Sequence, residues 1–201
     1  MSRQLLDYGD EAVLLECTDL AEALGLVEGV RQVAPQVREV VPGARTLLLR
    51  LDAPLPPEAR RRLLALAPRP PSADPDRTVT LAVDYDGEDL AEVGALTGLG
   101  VDGVVAAHTG QQWTVGFCGF APGFGYLVGE HERLWVPRRP TPRTRVPAGA
   151  VGLAGPWSGV YPRSGPGGWQ LLGRTDAVLW DLDTDPPALL RPGTRVQFVA
   201  R

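Results

Sequence analysis

Arginine side chains are concentrated in one segment of this chain, where their spacing could bind an anion. Residues 133–175 contain seven arginines and no aspartate or glutamate. In the stretch Pro137-Arg-Arg-Pro-Thr-Pro-Arg-Thr-Arg-Val-Pro147, prolines hold the backbone extended. Arg139, Arg143 and Arg145 are separated by even numbers of residues, so an extended chain would place them on one face. Such a face suits bidentate binding of a carboxylate or phosphate. The alternative is solvated arginines that protect an edge strand from aggregation.

A glycine-rich aromatic motif, Gly116-Phe-Cys-Gly-Phe-Ala-Pro-Gly-Phe-Gly-Tyr126, lies upstream of the arginines. Glycine at every third or fourth position lets a backbone approach another backbone or a ligand closely. We expect Gly119, Pro122 and Gly123 to form a structural loop with aromatic walls. The motif matches neither the P-loop nor the dinucleotide-binding fingerprint. It is either a tight corner of a barrel or the wall of a binding site.

The motif Gly159-Val-Tyr-Pro-Arg-Ser-Gly-Pro-Gly-Gly-Trp-Gln-Leu-Leu-Gly-Arg174 supplies further candidate ligands. Gln170 can hydrogen-bond an amide or a carboxyl group, and Arg174 adds a positive charge. Gly167 and Gly168 are expected to form a second structural loop. Ser164 does not stand in the Gly-x-Ser-x-Gly sequence of a nucleophile elbow, which argues against a serine nucleophile.

His108, one of two histidines, is the candidate for general acid or base catalysis. It follows an apolar run and precedes a predicted strand, so the alternative is a buried, hydrogen-bonded histidine. His131 is expected in an exposed loop. No metal site is predicted, because Cys17 and Cys118 are too few and too far apart to form one.

Composition excludes several kinds of chemistry. Lys+Arg totals 20 and every one of these residues is arginine, so no lysine is available for a Schiff base, pyridoxal phosphate, biotin or a P-loop. We therefore expect no cofactor on this chain, and any ATP to be handled by another polypeptide.

A net charge of −4 argues against nucleic-acid binding. No apolar run reaches the roughly 18 residues of a membrane span, and acids near the start argue against a signal peptide. The predicted location is cytoplasmic.

The helices and strands that must position these residues fall into two groups, separated by a proline-rich linker that is predicted over Ala67–Arg77. Before it, hydrophobic periodicity predicts strands at 12–16, 36–41 and 46–51, and helices at 20–33 and 57–67. The first helix has a cap signal at Thr18-Asp19. This β-α-β-β-α order predicts a small α+β domain over residues 1–76.

After the linker, strands are predicted at 78–84, 113–118, 177–183 and 194–200, and helices at 90–96 and 101–107. Residues 116–173 contain thirteen glycines and eight prolines. Aromatic residues interleaved with them supply the burial that disordered chains lack. Short strands joined by tight turns predict a small, mainly β barrel over residues 77–201.

These motifs resemble the family of 5-oxoprolinase B subunits, also called allophanate hydrolase subunit 1 or the KipI-like family. The resemblance spans nearly the whole chain. It rests on these ordered matches: Tyr8-Gly-Asp10-Glu-Ala-Val-Leu, Asp84-Tyr85-Asp-Gly-Glu88-Asp-Leu, His108-Thr109, the Gly116–Leu127 motif, Pro137-Arg-Arg-x-x-Pro-Arg-x-x-Val-Pro-Ala-Gly149, Tyr161-Pro162 and Pro166–Thr175. Gly125, Ala150 and Pro156-Trp157-Ser158 depart from the residues that are common in the family.

The resemblance implies an α+β domain joined to a cyclophilin-like barrel. It also implies a complex with the 5-oxoprolinase C subunit and an ATP-using A subunit, which opens the lactam of 5-oxo-L-proline to L-glutamate. We expect His108 and Gln170 as catalytic residues, and Arg139, Arg143, Arg145, Arg174 and Tyr161 as ligands of the small carboxylate substrate. Allophanate stays open as a substrate. Two other functions stay open: a KipI-like inhibitor of a sensor histidine kinase, and a prolyl isomerase suggested by the barrel alone.

Overall fold

Two compact units make up the chain in the computed structural model, which describes residues 3–69 and 78–201. They comprise Met1–Ser72 and Ala73–Arg201. The predicted boundary between residues 76 and 77 lies outside the described residues, as does most of the predicted linker. In the part of the chain that is described, no single helix has the length and apolar content needed to cross a membrane.

Alternating apolar residues build the N-terminal unit as a four-stranded antiparallel sheet with two helices. Its elements are β1 (Leu5–Asp7), β2 (Ala12–Glu16), α1 (Leu20–Val33), β3 (Val37–Pro42), β4 (Thr46–Leu51) and α2 (Pro57–Ala65). The strand order is β1-β2-β4-β3. Leu15, Leu47 and Leu49 on one face of the sheet pack with Leu26 of α1 and Leu63 of α2 in a single core.

Local signals set the ends of α1. The Asp19 side chain accepts a hydrogen bond of 2.8 Å from the Glu22 backbone N–H, which satisfies a donor that the helix leaves free. This confirms the cap predicted at Thr18-Asp19. The short strand β1 was not predicted, because three residues are too few for a periodic signal. Helix α2 ends two residues earlier than predicted, where the backbone of Leu66 turns extended.

The C-terminal unit is a nearly closed barrel of seven strands. Its elements are β5 (Thr78–Val83), α3 (Leu90–Thr97), α4 (Gly100–Thr109), β6 (Trp113–Cys118), β7 (Gly125–Gly129), a 3-10 turn (Glu132–Leu134), β8 (Arg143–Val146), β9 (Ala150–Ala154), β10 (Trp157–Val160), β11 (Gly165–Gly167), β12 (Gln170–Arg174) and β13 (Arg195–Ala200). The sheet runs β12-β9-β10-β7-β6-β13-β5, and β8 pairs separately with β11. The predicted fold class, a small α+β unit followed by a mainly β barrel, is confirmed.

The barrel closes where the chain after β5 meets β12. Asp84 and Arg174 exchange two backbone hydrogen bonds of 2.9 Å, and the Gly87 N–H donates to the Leu172 carbonyl at 3.0 Å. A β-carbon at Gly87 would overlap the Leu171 carbonyl, and one at Gly173 would overlap the Asp84 carbonyl. Glycine at these two positions therefore allows the edges to approach.

Two apolar clusters lie on opposite faces of this sheet. Leu127, Leu153 and Leu172 belong to the main core. Their neighbours along the same strands, among them Ala154 and Leu171, belong to a second cluster that contains Phe124, Tyr161 and Trp169. Because side chains alternate along a strand, the two clusters occupy different faces.

The strand predicted over residues 177–183 is wrong. Only Trp180 forms a bridge there, with Ala188, and the segment is otherwise an irregular hairpin. Residues 177–180 form a continuous apolar run of the kind found in buried strands, but Asp181 forms a turn by accepting a hydrogen bond from the Asp183 N–H at 3.0 Å. Turn chemistry therefore overrides the strand signal of the apolar run.

We expect Gly173→Ala to lower the free energy of unfolding of the barrel by about 1–3 kcal/mol, because its methyl group must displace backbone at the seam. Tryptophan fluorescence during denaturation measures this unit alone, since all five tryptophans lie after residue 112. Gly165→Ala is the control, because a β-carbon there meets nothing within 4 Å. Equal losses in the two variants would contradict the close approach at the seam.

Candidate functional site

A buried carboxylate binds two of the four arginines that the sequence singled out. Asp89, at the start of α3, is 2% exposed. Its Oδ1 atom accepts hydrogen bonds from Arg139 Nη1 and from Arg143 Nη2, the latter at 2.8 Å. Its Oδ2 atom accepts the Leu171 backbone N–H at 2.7 Å. One anion thus joins α3, β12 and the proline-rich stretch Pro137–Pro147, which we call the arginine segment.

Arg143 is held by protein acceptors on several sides. Besides Asp89, its guanidinium donates to Glu88 at 3.1 Å and to the Trp169 carbonyl at 3.4 Å. The side chain is 14% exposed. Few of its N–H groups remain for a ligand, so Arg143 serves mainly to organise the site.

Arg139 keeps more of its hydrogen-bonding capacity. Its side chain is 31% exposed, and its Nε atom is buried with no partner among the described residues. Its backbone N–H donates to the Gly168 carbonyl at 2.8 Å, which fixes the start of the arginine segment against the second glycine loop. A buried donor without an acceptor is costly, so this atom is a candidate ligand contact.

The charges of the site nearly cancel. Burial alone raises the pKa of Asp89, but hydrogen bonds from Arg143 and the Leu171 N–H, with the two arginine charges, bring it below its ordinary value. The Asp89 hydrogen bond in turn raises the pKa of Arg143. With Glu88, two carboxylates face two guanidinium groups, so the formal charges of these four side chains sum to zero.

Gln170 lies next to the arginine segment with one atom unused. It is 1% exposed, and its Nε2 atom donates to the Pro137 carbonyl at 3.3 Å. Its Oε1 atom is buried with no donor among the described residues. The site thus contains one unused donor, on Arg139, and one unused acceptor, on Gln170. A group that carries both an N–H and a carbonyl, such as an amide, could satisfy both.

Tyr161 and the second glycine loop border the arginine segment. Tyr161 is buried, and its hydroxyl accepts a hydrogen bond from the Trp169 backbone. A β-carbon at Gly167 would overlap that hydroxyl, while one at Gly168 would lie 3.7 Å from Pro142. Gly167 therefore lets Tyr161 approach β11 closely, whereas a β-carbon at Gly168 would make only an ordinary contact.

The first glycine loop presents a strained aromatic residue. Phe120 has φ of +68°, a conformation that side chains rarely adopt, and is 59% exposed. Its ring meets those of Phe124 and Tyr161 edge to face. The turn is closed by the Ala121 N–H, which donates to the Gly119 carbonyl at 2.7 Å. Pro122 and Gly123 complete this turn, Gly123 with φ of +83°.

The structure does not gather all the predicted ligands. Arg145 is exposed and donates to Ser164 Oγ at 3.1 Å. Arg174 is 67% exposed at the barrel seam, where it contacts Asp86 at 3.1 Å. It stands four residues beyond Gln170 on a strand, a span of about 13 Å. Neither arginine contacts Asp89.

His108 lies inside the main core. It has no exposed surface, and its Nδ1 and Nε2 atoms hydrogen-bond Tyr85 at 2.7 Å and Ser158 at 2.8 Å. The rings of Trp113 and Phe198 pack against it, with centroids 5.0 and 4.2 Å away. Burial lowers its pKa to about 3, so the imidazole is neutral in the folded protein.

Asp89 and Glu88 are the site residues that sequence reasoning missed, although both lie in a motif that carried the family resemblance. A signal existed: an acid-free segment with seven arginines requires carboxylates from elsewhere. The acidic run Asp84–Asp89 before a predicted helix was one candidate source of them. Ser158, the partner of His108, had no signal in the sequence.

Comparisons with known proteins agree with this architecture. A family model described as "Carboxyltransferase domain, subdomain C and D" matches residues 3–190. A protein of Escherichia coli O157:H7, named as the B subunit of 5-oxoprolinase, is 44% identical over 171 residues, which are 82% of this chain and 78% of that protein. The chain belongs to the family of 5-oxoprolinase B subunits. The predicted family membership is thus confirmed.

Two further proteins similar to this chain are much longer than the segment they share with it. The Bacillus subtilis (strain 168) protein of the same name is 46% identical over 126 residues, 61% of this chain and 52% of that protein. The crystal structure of TTHA0988 superposes with a TM-score of 0.77 at 37% identity. That match covers 94% of this chain but only 40% of TTHA0988.

We expect Asp89→Asn to destabilise the barrel by about 3–5 kcal/mol, because it leaves partly buried guanidinium groups without their anion. Denaturation followed by tryptophan fluorescence measures the loss. The matched control is Glu88→Gln, whose carboxylate is 78% exposed and whose removal should change stability by less than about 1 kcal/mol. Similar effects of the two substitutions would show that Asp89 does not organise the site.

The buried histidine predicts a pH dependence. The unfolded chain binds a proton at His108 below pH 6.5, whereas the folded chain excludes it down to about pH 3. This group alone should therefore lower the free energy of unfolding by about 1.4 kcal/mol per pH unit as pH falls between those limits. Unfolding of wild type and His108→Gln, followed across this range, should show the steeper slope in wild type. Equal slopes would contradict the burial of a neutral imidazole.

Proposed function

We propose that this chain is a non-ATP-binding component of an ATP-dependent 5-oxoprolinase, a cyclic amide hydrolase that opens 5-oxo-L-proline to L-glutamate. It acts in complex with the C subunit and the ATP-using A subunit of that enzyme. The names of its relatives support membership of such a multi-subunit enzyme. A cytoplasmic location stays a prediction.

The observation that carries this proposal is the unused donor and acceptor beside the arginine pair. The substrate 5-oxoproline offers a lactam N–H, a lactam carbonyl and a carboxylate. Gln170 Oε1 can accept the N–H, and Arg139 can donate to an oxygen of the substrate. Both atoms are buried, so binding requires the arginine segment to shift when the complex assembles.

The chemistry requires groups that this chain does not supply. A lactam is a poor electrophile, and transfer of a phosphoryl group from ATP to its carbonyl oxygen would make the ring carbon reactive towards water. Addition of water and cleavage of the ring C–N bond, with a proton passing to the ring nitrogen, then open the ring to an acyl phosphate. A second water hydrolyses the acyl phosphate to L-glutamate and inorganic phosphate, and ADP is the other product. A chain without lysine or a P-loop fits the role of orienting the lactam while a partner binds the nucleotide.

The proposed roles of the predicted residues differ according to their surroundings. Gln170 and Arg139 would contact the substrate, while Arg143 and Tyr161 would hold the segment that carries Arg139. His108 has no exposed atom and both ring nitrogens are occupied, so its proposed contribution is to fix α4 in the core rather than to move a proton. Arg145 and Arg174 stay candidate ligands at the margin of the site.

Reconstitution tests the proposal. The chain is mixed with the candidate A and C subunits, ATP and 5-oxoproline, and L-glutamate is measured. We expect glutamate only when all three chains are present. Full turnover without this chain would exclude it from the enzyme.

A substitution localises the contact. Arg139→Lys keeps the charge but removes the Nε donor and the planar fork, so turnover should fall by about tenfold or more. Arg191→Lys, in the exposed loop before β13, is the matched control and should retain the wild-type rate. If both variants turn over alike while folding normally, Arg139 is not in the site.

A further inference from the structure

The loop between β12 and β13 exposes large apolar side chains to an unusual degree. Val178 is 67%, Trp180 39% and Leu182 80% exposed, whereas Leu179 between them is 2% exposed. Leu179 packs in the main core, while its neighbours Val178 and Trp180 are exposed to solvent. Single exposed apolar residues are ordinary, but three within five positions are not.

Hydrogen bonds hold this loop in one shape. The Leu189 N–H donates to the Leu179 carbonyl at 3.0 Å, and the Asp181 N–H donates to the Pro187 carbonyl at 2.9 Å. Within the tip, Thr184 Oγ1 donates to the Asp181 carbonyl at 3.0 Å. The exposed side chains are therefore presented on an ordered hairpin, and a partner that binds them has little ordering entropy to overcome.

The first glycine loop extends the apolar surface. A β-carbon at Gly123 would lie 3.0 Å from the β-carbon of Trp180, so the two loops touch. The first loop also carries Phe120, which is 59% exposed at a positive φ. We call Phe120, Val178, Trp180 and Leu182 the hairpin surface.

The rim of the hairpin surface is acidic. Asp181, Asp183 and Asp185 surround Leu182 in sequence. In the part of the chain that is described, Asp183 and Asp185 form no ion pair, and the Asp181 side chain accepts a hydrogen bond from the Asp183 N–H. No arginine lies between residues 175 and 190 to balance these charges. A complementary surface therefore needs positive charge around an apolar pocket.

We propose that the hairpin surface docks a protein partner whose apolar pocket receives Leu182 and whose arginine or lysine rim faces Asp183 and Asp185. This rests on the proposed function, in which the partner is another component of the enzyme. Support comes from the longer chain of TTHA0988, of which this chain covers 40%, so that a related segment there is joined to further polypeptide.

Leu182 is the expected anchor of the contact. Binding energy at interfaces concentrates in a few well-buried side chains, surrounded by contacts that mainly exclude water. At 80% exposure Leu182 has most of its surface to bury, and its removal cannot disturb the core. The acidic rim is expected to orient the partner and to raise the association rate, while most of the affinity comes from the apolar contact.

Titration of the full chain with the candidate C subunit and, separately, with the candidate A subunit tests the surface by calorimetry at low and high salt. Leu182→Ala should weaken binding to one of them by about tenfold or more. Leu96→Ala, a 51% exposed leucine on α3, is the matched control and should bind as wild type does. Replacing both Asp183 and Asp185 by asparagine should reduce the salt dependence of binding.

The outcomes separate this proposal from the proposed function. Wild-type affinity for Leu182→Ala, with glutamate formation intact, would overturn the docking surface and leave the enzyme assignment standing. Absence of binding by the wild-type chain to either candidate would overturn both. A dimer of the free chain that Leu182→Ala dissociates would overturn the partner in favour of a second copy.

Discussion

The buried carboxylate of Asp89 is the interaction on which the rest of the candidate site depends. It receives Arg139, Arg143 and the Leu171 N–H, so one side chain ties a loop, a helix start and a strand together. Buried charges persist only when they are paired and hydrogen-bonded. The proline-rich arginine segment has few backbone bonds to the sheet before β8, and this ion pair compensates for them. Removing the carboxylate would therefore affect the segment as a whole rather than one contact.

Much of the fold could be predicted because its signals are local. The short apolar runs of β2 and β4 and the cap at Asp19 each lie within a few residues, and each was predicted correctly. The segment 177–183 also begins with an apolar run but did not become a strand, because side-chain hydrogen bonds of Asp181 and Thr184 stabilise a turn there. The pattern of apolar residues indicates which side chains are buried, but it does not indicate which groups the backbone hydrogen-bonds.

The site was less predictable because its contacts join distant parts of the sequence. The residue types in the arginine segment and Gln170 were visible, but their acceptor lies 50 positions before Arg139. Their shared target was inferred from extended geometry; Arg139 and Arg143 do meet at Asp89, whereas Arg145 donates to Ser164 instead. His108 ends an apolar helix, and nothing near it in the sequence showed that Ser158 would meet it inside the barrel. Burial of a single polar side chain is a property of the whole fold.

The pairing with Asp89 changes what the arginines can contribute. The sequence of residues 133–175 contains seven arginines and no acid, and this charge alone suggests a strong attraction for any anion. In the structure Arg139 and Arg143 face Asp89 and Glu88, so the local net charge is close to zero. The site can therefore attract a ligand mainly through directional hydrogen bonds, from one unused N–H on Arg139 and to one unused carbonyl oxygen on Gln170. Fixed dipoles of this kind discriminate by hydrogen-bond geometry, which favours an amide over a simple anion.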